Sequence, residues 1–386
     1  MPDSVLKLAG RLLLNGLRFQ YLKRSGLPGR PQAVSLEITH NCIAKCIMCN
    51  IWRIPRDVPD LPISSFLNLL CSDLLSDLRE LDITGGEPFL RNDLAQFFSG
   101  ICRLKRGNLK NLRSIAVTTN GFLTDRVLAT CADVLPMLRD AGLGLVMVCA
   151  MDAVGPLHDR IRNYKNAWSQ VNKTIQGLKG LQHEHDNLLI GLKTTVLPIN
   201  VDEPEKITRY ANQHGLFTII SPAIITSGRY LNTDRATELA FTPEHREKMI
   251  RFFQSDLFRW SYHAEALVRY LKTGIMKKPC TCGFNYFFVR STGQLLLCPL
   301  MEESPGNING ASLERVFFSR KANRLRRKIG AFPQCRKCTE PGLERYALPY
   351  QGFTYLSIMA KQGRTAFLAL HRHMGLDKYF TLSSEE

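Results

Sequence analysis

Cys42, Cys46 and Cys49 stand in a C-x3-C-x2-C spacing within Thr39-His40-Asn41-Cys42-Ile43-Ala44-Lys45-Cys46-Ile47-Met48-Cys49-Asn50. Thiolates are soft donors, and a loop this short brings them together, a set suited to iron–sulfur chemistry. A four-iron cubane normally takes four thiolates, so three leave one iron open to a further ligand. His40 offers a competing set, because one imidazole and three thiolates can also close a tetrahedral zinc site. Zinc loops more often join a C-x2-C pair to a second, distant pair. A structural zinc also has no need of the stretch Thr84-Gly85-Gly86-Glu87-Pro88 that follows in fold order. Its adjacent glycines let backbone groups approach a ligand closely, while Glu87 and Pro88 shape the turn.

A second set lies far along the chain: Cys282-Gly283, Gly293, Cys298-Pro299 and Cys335-x2-Cys338. A hairpin with a cysteine at each base, followed by C-x2-C, supplies four thiolates, enough to close a cubane or to hold zinc. Cys280 could replace Cys282. Of the remaining cysteines, Cys71, Cys102, Cys131 and Cys149 sit singly among apolar residues and are expected as buried thiols. Seven of the twelve cysteines thus fall in ligand sets. They do not read as a disulfide framework, and a reducing, cytoplasmic compartment is expected.

These loops need a scaffold. From Ala33 to about Thr226, strand-like runs alternate with helix-like ones, which predicts an α/β fold with a mostly parallel sheet and crossover helices. The predicted strands are Ala33–Thr39, Leu78–Thr84, Ser114–Thr119, Gly144–Ala150, Leu188–Val196 and Leu216–Ile220. Helices are predicted at Ser64–Ser76, Asp93–Lys105, Thr124–Ala141, Ala167–Leu181 and Glu203–Gln213. Strand ends run into Thr84-Gly85-Gly86, Thr119-Asn120-Gly121 and Met151-Asp152, and ligand sites in such sheets collect at carboxyl ends of strands. Period-two reasoning also points Glu37 and Lys193 toward that cavity. The chain divides into a basic amphipathic helix (1–30), the α/β core (31–226), a helical connection (227–279), a separate small cysteine-bearing module (280–340) and a helical tail (341–386). Its last dozen residues are expected to fray.

In order and spacing, Cys42-x3-Cys46-x2-Cys49, Gly85-Gly86-Glu87-Pro88 and Thr119-Asn120-Gly121 resemble the radical S-adenosylmethionine enzymes. The resemblance implies a partial (β/α)6 TIM-like barrel. It also implies a [4Fe–4S] cluster on Cys42, Cys46 and Cys49, whose fourth iron chelates S-adenosylmethionine. Gly85, Gly86, Glu87 and Pro88 would meet the methionyl amino group, and Thr119 and Asn120 would lie near the sugar or carboxylate. Met48 stands where the family often has an aromatic side chain, a mild departure because methionine also packs on rings. The stretch from Cys282 to Cys338 resembles the SPASM extension or its shorter form, Twitch. No cysteine follows Cys338, so the resemblance implies one auxiliary [4Fe–4S] cluster on Cys282, Cys298, Cys335 and Cys338. Met151-Asp152 with His158-Asp159 and Arg162 resembles the fourth strand-end loop of SPASM-type members. Asp152 and Arg162 are weak candidates for contact with cofactor or substrate, and no catalytic acid or base can be named.

The resemblance further implies reductive cleavage of S-adenosylmethionine to a 5′-deoxyadenosyl radical, fed by a donor such as flavodoxin or ferredoxin. The expected outcome is oxidation of a sugar-like or other small molecule. Maturation of a ribosomal peptide is the first alternative, followed by modification of a lipid or isoprenoid at a membrane surface, and a non-catalytic redox or binding protein. The formal charge of +17 concentrates at Lys7, Arg11, Arg18, Lys23, Arg24 and Arg30, and again from Arg320 to Lys328. Neither group has the interleaved aromatics of a base-stacking platform, so nucleic acid is not the expected partner. No run of roughly 18 apolar residues spans a bilayer. Residues 4–24 form a basic amphipathic helix that could pack on the fold, which is the simpler reading, or lie on the inner membrane surface. Phe353 to Leu370 adds a second such helix.

Overall fold

The structure is a computed structural model and describes residues 5–258 and 261–382. Helix α1 (Val5–Ser25) precedes the core, in which β1 (Ala33–Thr39), α2 (Ile63–Leu70), β2 (Glu80–Gly85), α3 (Leu94–Lys105), β3 (Ser114–Thr119) and α4 (Thr124–Asp140) alternate. The alternation continues through β4 (Gly144–Ala150), α5 (Leu157–Arg162), α6 (Ala167–Glu184), β5 (Leu188–Val196), α7 (Pro204–His214) and β6 (Phe217–Pro222). Helices α8 (Pro243–Gln254) and α9 (Ser261–Thr273) lead to β7 (Tyr286–Val289), β8 (Gln294–Leu296) and β9 (Gly306–Asn307). The chain ends with α10 (Leu313–Phe317), α11 (Arg320–Arg327), α12 (Gly342–Gln351), α13 (Phe353–Gln362) and α14 (Arg364–His373).

One nine-stranded sheet runs in the order β6-β5-β4-β3-β2-β1-β7-β8-β9. From β1 to β6 each strand is parallel to the one before it. Right-handed crossovers that always step the same way leave their helices on one face, so the sheet curls as an open, partial barrel. Every residue of β1 is buried, as expected for a central parallel strand covered on both sides.

The cysteine-bearing hairpin, expected as a separate module, is instead built into this sheet. β7 pairs in parallel with β1, from Ala33 opposite Tyr286 to Leu36 opposite Val289. An apolar run such as Tyr286-Phe287-Phe288-Val289, buried throughout, needs a partner strand as well as a turn. Two further expectations on the tail change. The single helix predicted there is split at Gly363, whose φ of 74° ends α13. The residues expected to fray are docked as far as Tyr379: Leu376 and Tyr379 are buried and Lys378 reaches Glu80 at 3.6 Å. Residues 383–386 lie outside the described ones. Among the single cysteines, Cys131 and Cys149 are buried and Cys102 partly so, but Cys71 is exposed, because it caps the surface end of α2.

The tail is tied to the sheet by charge. Glu80, at the start of β2, is buried and receives Arg345 Nε at 2.8 Å. Burial alone would raise its carboxyl, but Arg345 and Lys378 outweigh that and hold it below the usual carboxylate range. Removing one partner of a buried pair leaves an uncompensated charge, so Arg345→Leu should cost about 3–5 kcal/mol in chemical denaturation, whereas a loss under about 1 kcal/mol would contradict this account.

Candidate active site

The cysteine loop starts where β1 ends, and backbone hydrogen bonds hold it from two directions. Lys45 N and Ile47 N donate to the carbonyls of Arg162 and Ile161 at the end of α5, at 3.3 and 3.0 Å. Asn50 N donates to Tyr230 O at 2.8 Å, and Asn232 Nδ2 donates to Met48 O at 2.8 Å. Cys42, Cys46 and Cys49 then line one cavity of about 130 Å³ together with Met48, Gly85, Gly86, Thr119 and Asn120. The glycines are set by space: a Cβ on Gly85 would stand 2.2 Å from Thr39 O and one on Gly86 2.1 Å from Asn41 O. Only glycine lets the β2 loop lie against the β1 loop there.

Glu87 and Pro88 do not face the cavity. Pro88 opens a short 3-10 turn, and Glu87 is fully buried beneath the loops. Its Oε1 accepts from Thr119 Oγ1 at 2.8 Å and Phe89 N at 3.2 Å, and its Oε2 accepts from Asn120 N at 2.7 Å. Burial pushes this carboxyl up to about 7, against the opposing effect of these donors.

Asp152 and Arg162 form a buried ion pair at 2.7 Å. Asp152 Oδ1 accepts from Thr195 N at 2.8 Å, and Arg162 Nη1 reaches Cys46 Sγ at 3.7 Å. Asp152 therefore aims the guanidinium at a cluster-loop sulfur, and Arg162 lines the cavity whereas Asp152 does not. His158 is buried behind them and accepts from Asp152 N at 3.1 Å; Asp159 accepts from Asn166 N and Trp168 N at the start of α6. Lys193 lines the cavity as expected. Glu37 does not: its Oε1 lies 3.6 Å from Arg290 Nη1 and accepts from Ser291 N at 3.3 Å, on the β7–β8 side.

Thr195, Ser221, Arg229, Tyr230 and Glu340 also line the cavity and were not picked out from sequence. Arg229 and Tyr230 follow β6, so the strand-end rule that selected the earlier loops reaches them too; the boundary placed at residue 226 cut them off. Arg229 Nη2 donates to Thr84 Oγ1 at 2.5 Å and its backbone N to Pro299 O at 3.0 Å. Glu340 had a plainer signal, two residues beyond the C-x2-C pair.

By donor chemistry, three thiols lining one cavity suit a cluster with one open iron. Burial pushes the Cys42 and Cys49 thiols up to about 12 and raises that of Cys46, so near neutrality they need a metal to be thiolates. His40 does not line this cavity, and its Nδ1 is held by Asp60 Oδ1 at 2.8 Å and Ser291 Oγ at 3.0 Å. The later cysteines gather around a larger cavity of about 770 Å³, lined by Cys280, Cys298, Cys335 and Cys338. Cys282 is buried at the hairpin base, its thiol interacting with those of Cys280 and Cys298.

Glu87→Gln places an amide nitrogen against a donor and should lower stability by about 1–3 kcal/mol. The wild-type carboxyl holds its proton more tightly folded than unfolded, so its contribution is fully present below about pH 4.5 and is lost as pH rises through about 7. Denaturation of both proteins across that range should show a downward slope in wild type that the variant lacks; parallel profiles would contradict the assignment.

The comparisons with known proteins agree with this geometry. The sequence pattern of the radical SAM superfamily matches residues 36–211, and that of an iron–sulfur cluster-binding domain, SPASM, matches residues 280–339. The antilisterial bacteriocin subtilosin biosynthesis protein AlbA of Bacillus subtilis (strain 168) is 23% identical over 300 residues, 76% of this chain and 61% of AlbA. The chain thus spans less than two thirds of that relative's length. Among solved structures, anSMEcpe with bound AdoMet superposes with a TM-score of 0.58 at 17% identity, covering 89% of this chain and 98% of that one. SuiB of Streptococcus suis bound to S-adenosylmethionine gives 0.54 at 11%, covering 95% and 79%. The chain thus carries a radical SAM domain over residues 36–211, which contains the loops with Cys42, Cys46, Cys49, Gly85 and Gly86, and a SPASM domain over residues 280–339, which contains the second thiol set.

Proposed function

We propose that this enzyme oxidises a hydroxyl-bearing small molecule held between the cysteine loop and Lys193, Ser221, Arg229, Tyr230 and Glu340, with the auxiliary cluster beside it as electron acceptor. One observation carries the reading: the segment Cys338-Thr339-Glu340 joins the two cavities. Cys338 lines the auxiliary one and Glu340 the other, while Thr339 Oγ1 donates to Pro222 O at the end of β6 at 2.8 Å. Thiols of the second site therefore lie two residues from the substrate wall.

Cys42, Cys46 and Cys49 would hold a [4Fe–4S] cluster that, with S-adenosylmethionine and an electron from a flavodoxin- or ferredoxin-type donor, would supply the radical chemistry needed to take a hydrogen atom from an unactivated C–H bond. When an alcohol becomes a carbonyl, one hydrogen atom leaves from carbon, one proton leaves from oxygen to water, and one electron remains. Cys282, Cys298, Cys335 and Cys338 would hold an auxiliary cluster with a thiolate for every iron, chemistry that would suit it to take up that electron and hand it to an external one-electron acceptor. The substrate would be oriented by Lys193 and Glu340, a loose pair at 3.9 Å that can each hydrogen-bond a hydroxyl, and by Arg229. Glu340 stays ionised: burial would raise it, but Lys193 and Arg229 hold it below the usual range. The ligands assigned to the auxiliary cluster are Cys282, Cys298, Cys335 and Cys338. Cys282 is fixed by Gly283 N donating to Tyr286 O at 2.7 Å, whereas Cys280 precedes the hairpin on an irregular segment.

Peptide modification is the second reading, favoured by the similarity to AlbA over 76% of this chain. The two part on what accelerates turnover, a polyol or a peptide. With dithionite and S-adenosylmethionine, wild type should release 5′-deoxyadenosine and Cys46→Ala none; wild type without release contradicts the proposal. Cys282→Ala should lose about four irons and Cys280→Ala none, and the reverse would transfer the ligand role to Cys280.

A further inference from the structure

Helix α1 has two apolar faces. Leu8, Leu12, Phe19 and Leu22 are buried against the tail helices, where Asn15 Nδ2 donates to Pro349 O at 2.9 Å and Gly16 lies under the Phe353 ring. The opposite face carries Leu6, Leu13, Leu14, Leu17 and Tyr21, exposed by 85, 47, 66, 58 and 65%. At 3.6 residues per turn these fall on one stripe, and Lys7, Arg11 and Arg18 form its flank. Single exposed leucines need no explanation, but a contiguous row on one helix marks a contact surface.

Charge identifies the partner. No Asp or Glu occurs between Asp3 and Glu37, or between Glu314 and Glu340. The two basic segments, distant in sequence, are neighbours in space: Arg327 Nε donates to Ser25 O at 3.2 Å, and Gly26 lies against the Arg327 side chain. Arg320, Lys321, Arg324, Arg327 and Lys328 are all exposed, next to Phe318, which is 50% exposed. A nucleic acid would take the cations but not the leucines. A row of leucines flanked by cations fits an anionic lipid headgroup layer with its acyl boundary beneath.

We propose that α1, together with the basic surface of α11, docks the enzyme on an anionic phospholipid bilayer. No helix among the described residues is long and apolar enough to cross a membrane, so the contact is peripheral. Phe19, Gln20 and Lys23 of the same helix also line the auxiliary cavity.

The test is flotation of the full chain with vesicles of equal parts phosphatidylglycerol and phosphatidylcholine, or of phosphatidylcholine alone. Wild type should float with the anionic vesicles only. Leu14→Ser/Leu17→Ser, at exposed positions, should weaken binding by more than about tenfold, and Arg18→Ser/Arg24→Ser should weaken it and flatten its salt dependence. Absence of flotation overturns the proposal. So does binding lost with the arginines but indifferent to the leucines, which means a polyanion site, or a wild-type dimer that Leu14→Ser/Leu17→Ser dissolves, which means a second copy covers the stripe.

Discussion

The active site rests on a carboxylate that faces away from it. Glu87 is buried under the strand ends and joins the loop after β2 to the loop after β3 through Thr119 Oγ1 and Asn120 N. Its own backbone N donates to Asn41 O at 2.8 Å, and Gly86 N donates to Thr39 O at 2.8 Å, which binds the same loop to the root of the cysteine loop. Three strand ends are thereby locked before any ligand arrives. The glycines then permit the close approach, and Arg162, aimed by Asp152, balances the charge of a thiolate at Cys46. Burying Glu87 costs desolvation, and its donors repay part of that by fixing the loops.

The second constraint is the sheet itself. Because β7 pairs with β1, the cysteine hairpin is an extension of the strand that launches the first cysteine loop. The loop after β6 closes the other side: Thr226 Oγ1 donates to Leu300 O at 2.9 Å and Arg229 N to Pro299 O, both just past Cys298. The two thiol sets are thus held at a fixed separation by backbone, with Glu340 between them.

Much of this was legible in the sequence. Strands of period two and helices with one apolar face give strong local signals, so β1, β3, β4 and β5 begin and end where the pattern places them. Cys42, Cys46, Cys49 and Gly85–Gly86 are short-range motifs, and they do line one cavity. What sequence could not supply were long-range pairings. Glu37 obeys the alternation of β1, yet its direction is decided by Arg290, over 250 positions away. The pairing of β7 with β1, the docking of Lys378 on Glu80 and the meeting of the two basic segments likewise depend on tertiary contacts that no local window contains.

Two separate iron sites held by different cysteines are the central proposal. Iron and sulfide analysis with electron paramagnetic resonance, after anaerobic reconstitution, tests this most directly on wild type and on the triple variant Cys42→Ala/Cys46→Ala/Cys49→Ala. About eight irons are expected in wild type, with one reduced-cluster signal altered by S-adenosylmethionine, and about four in the variant, with only the insensitive signal left. Zinc at the second site, or a triple variant that keeps both signals, would contradict the account.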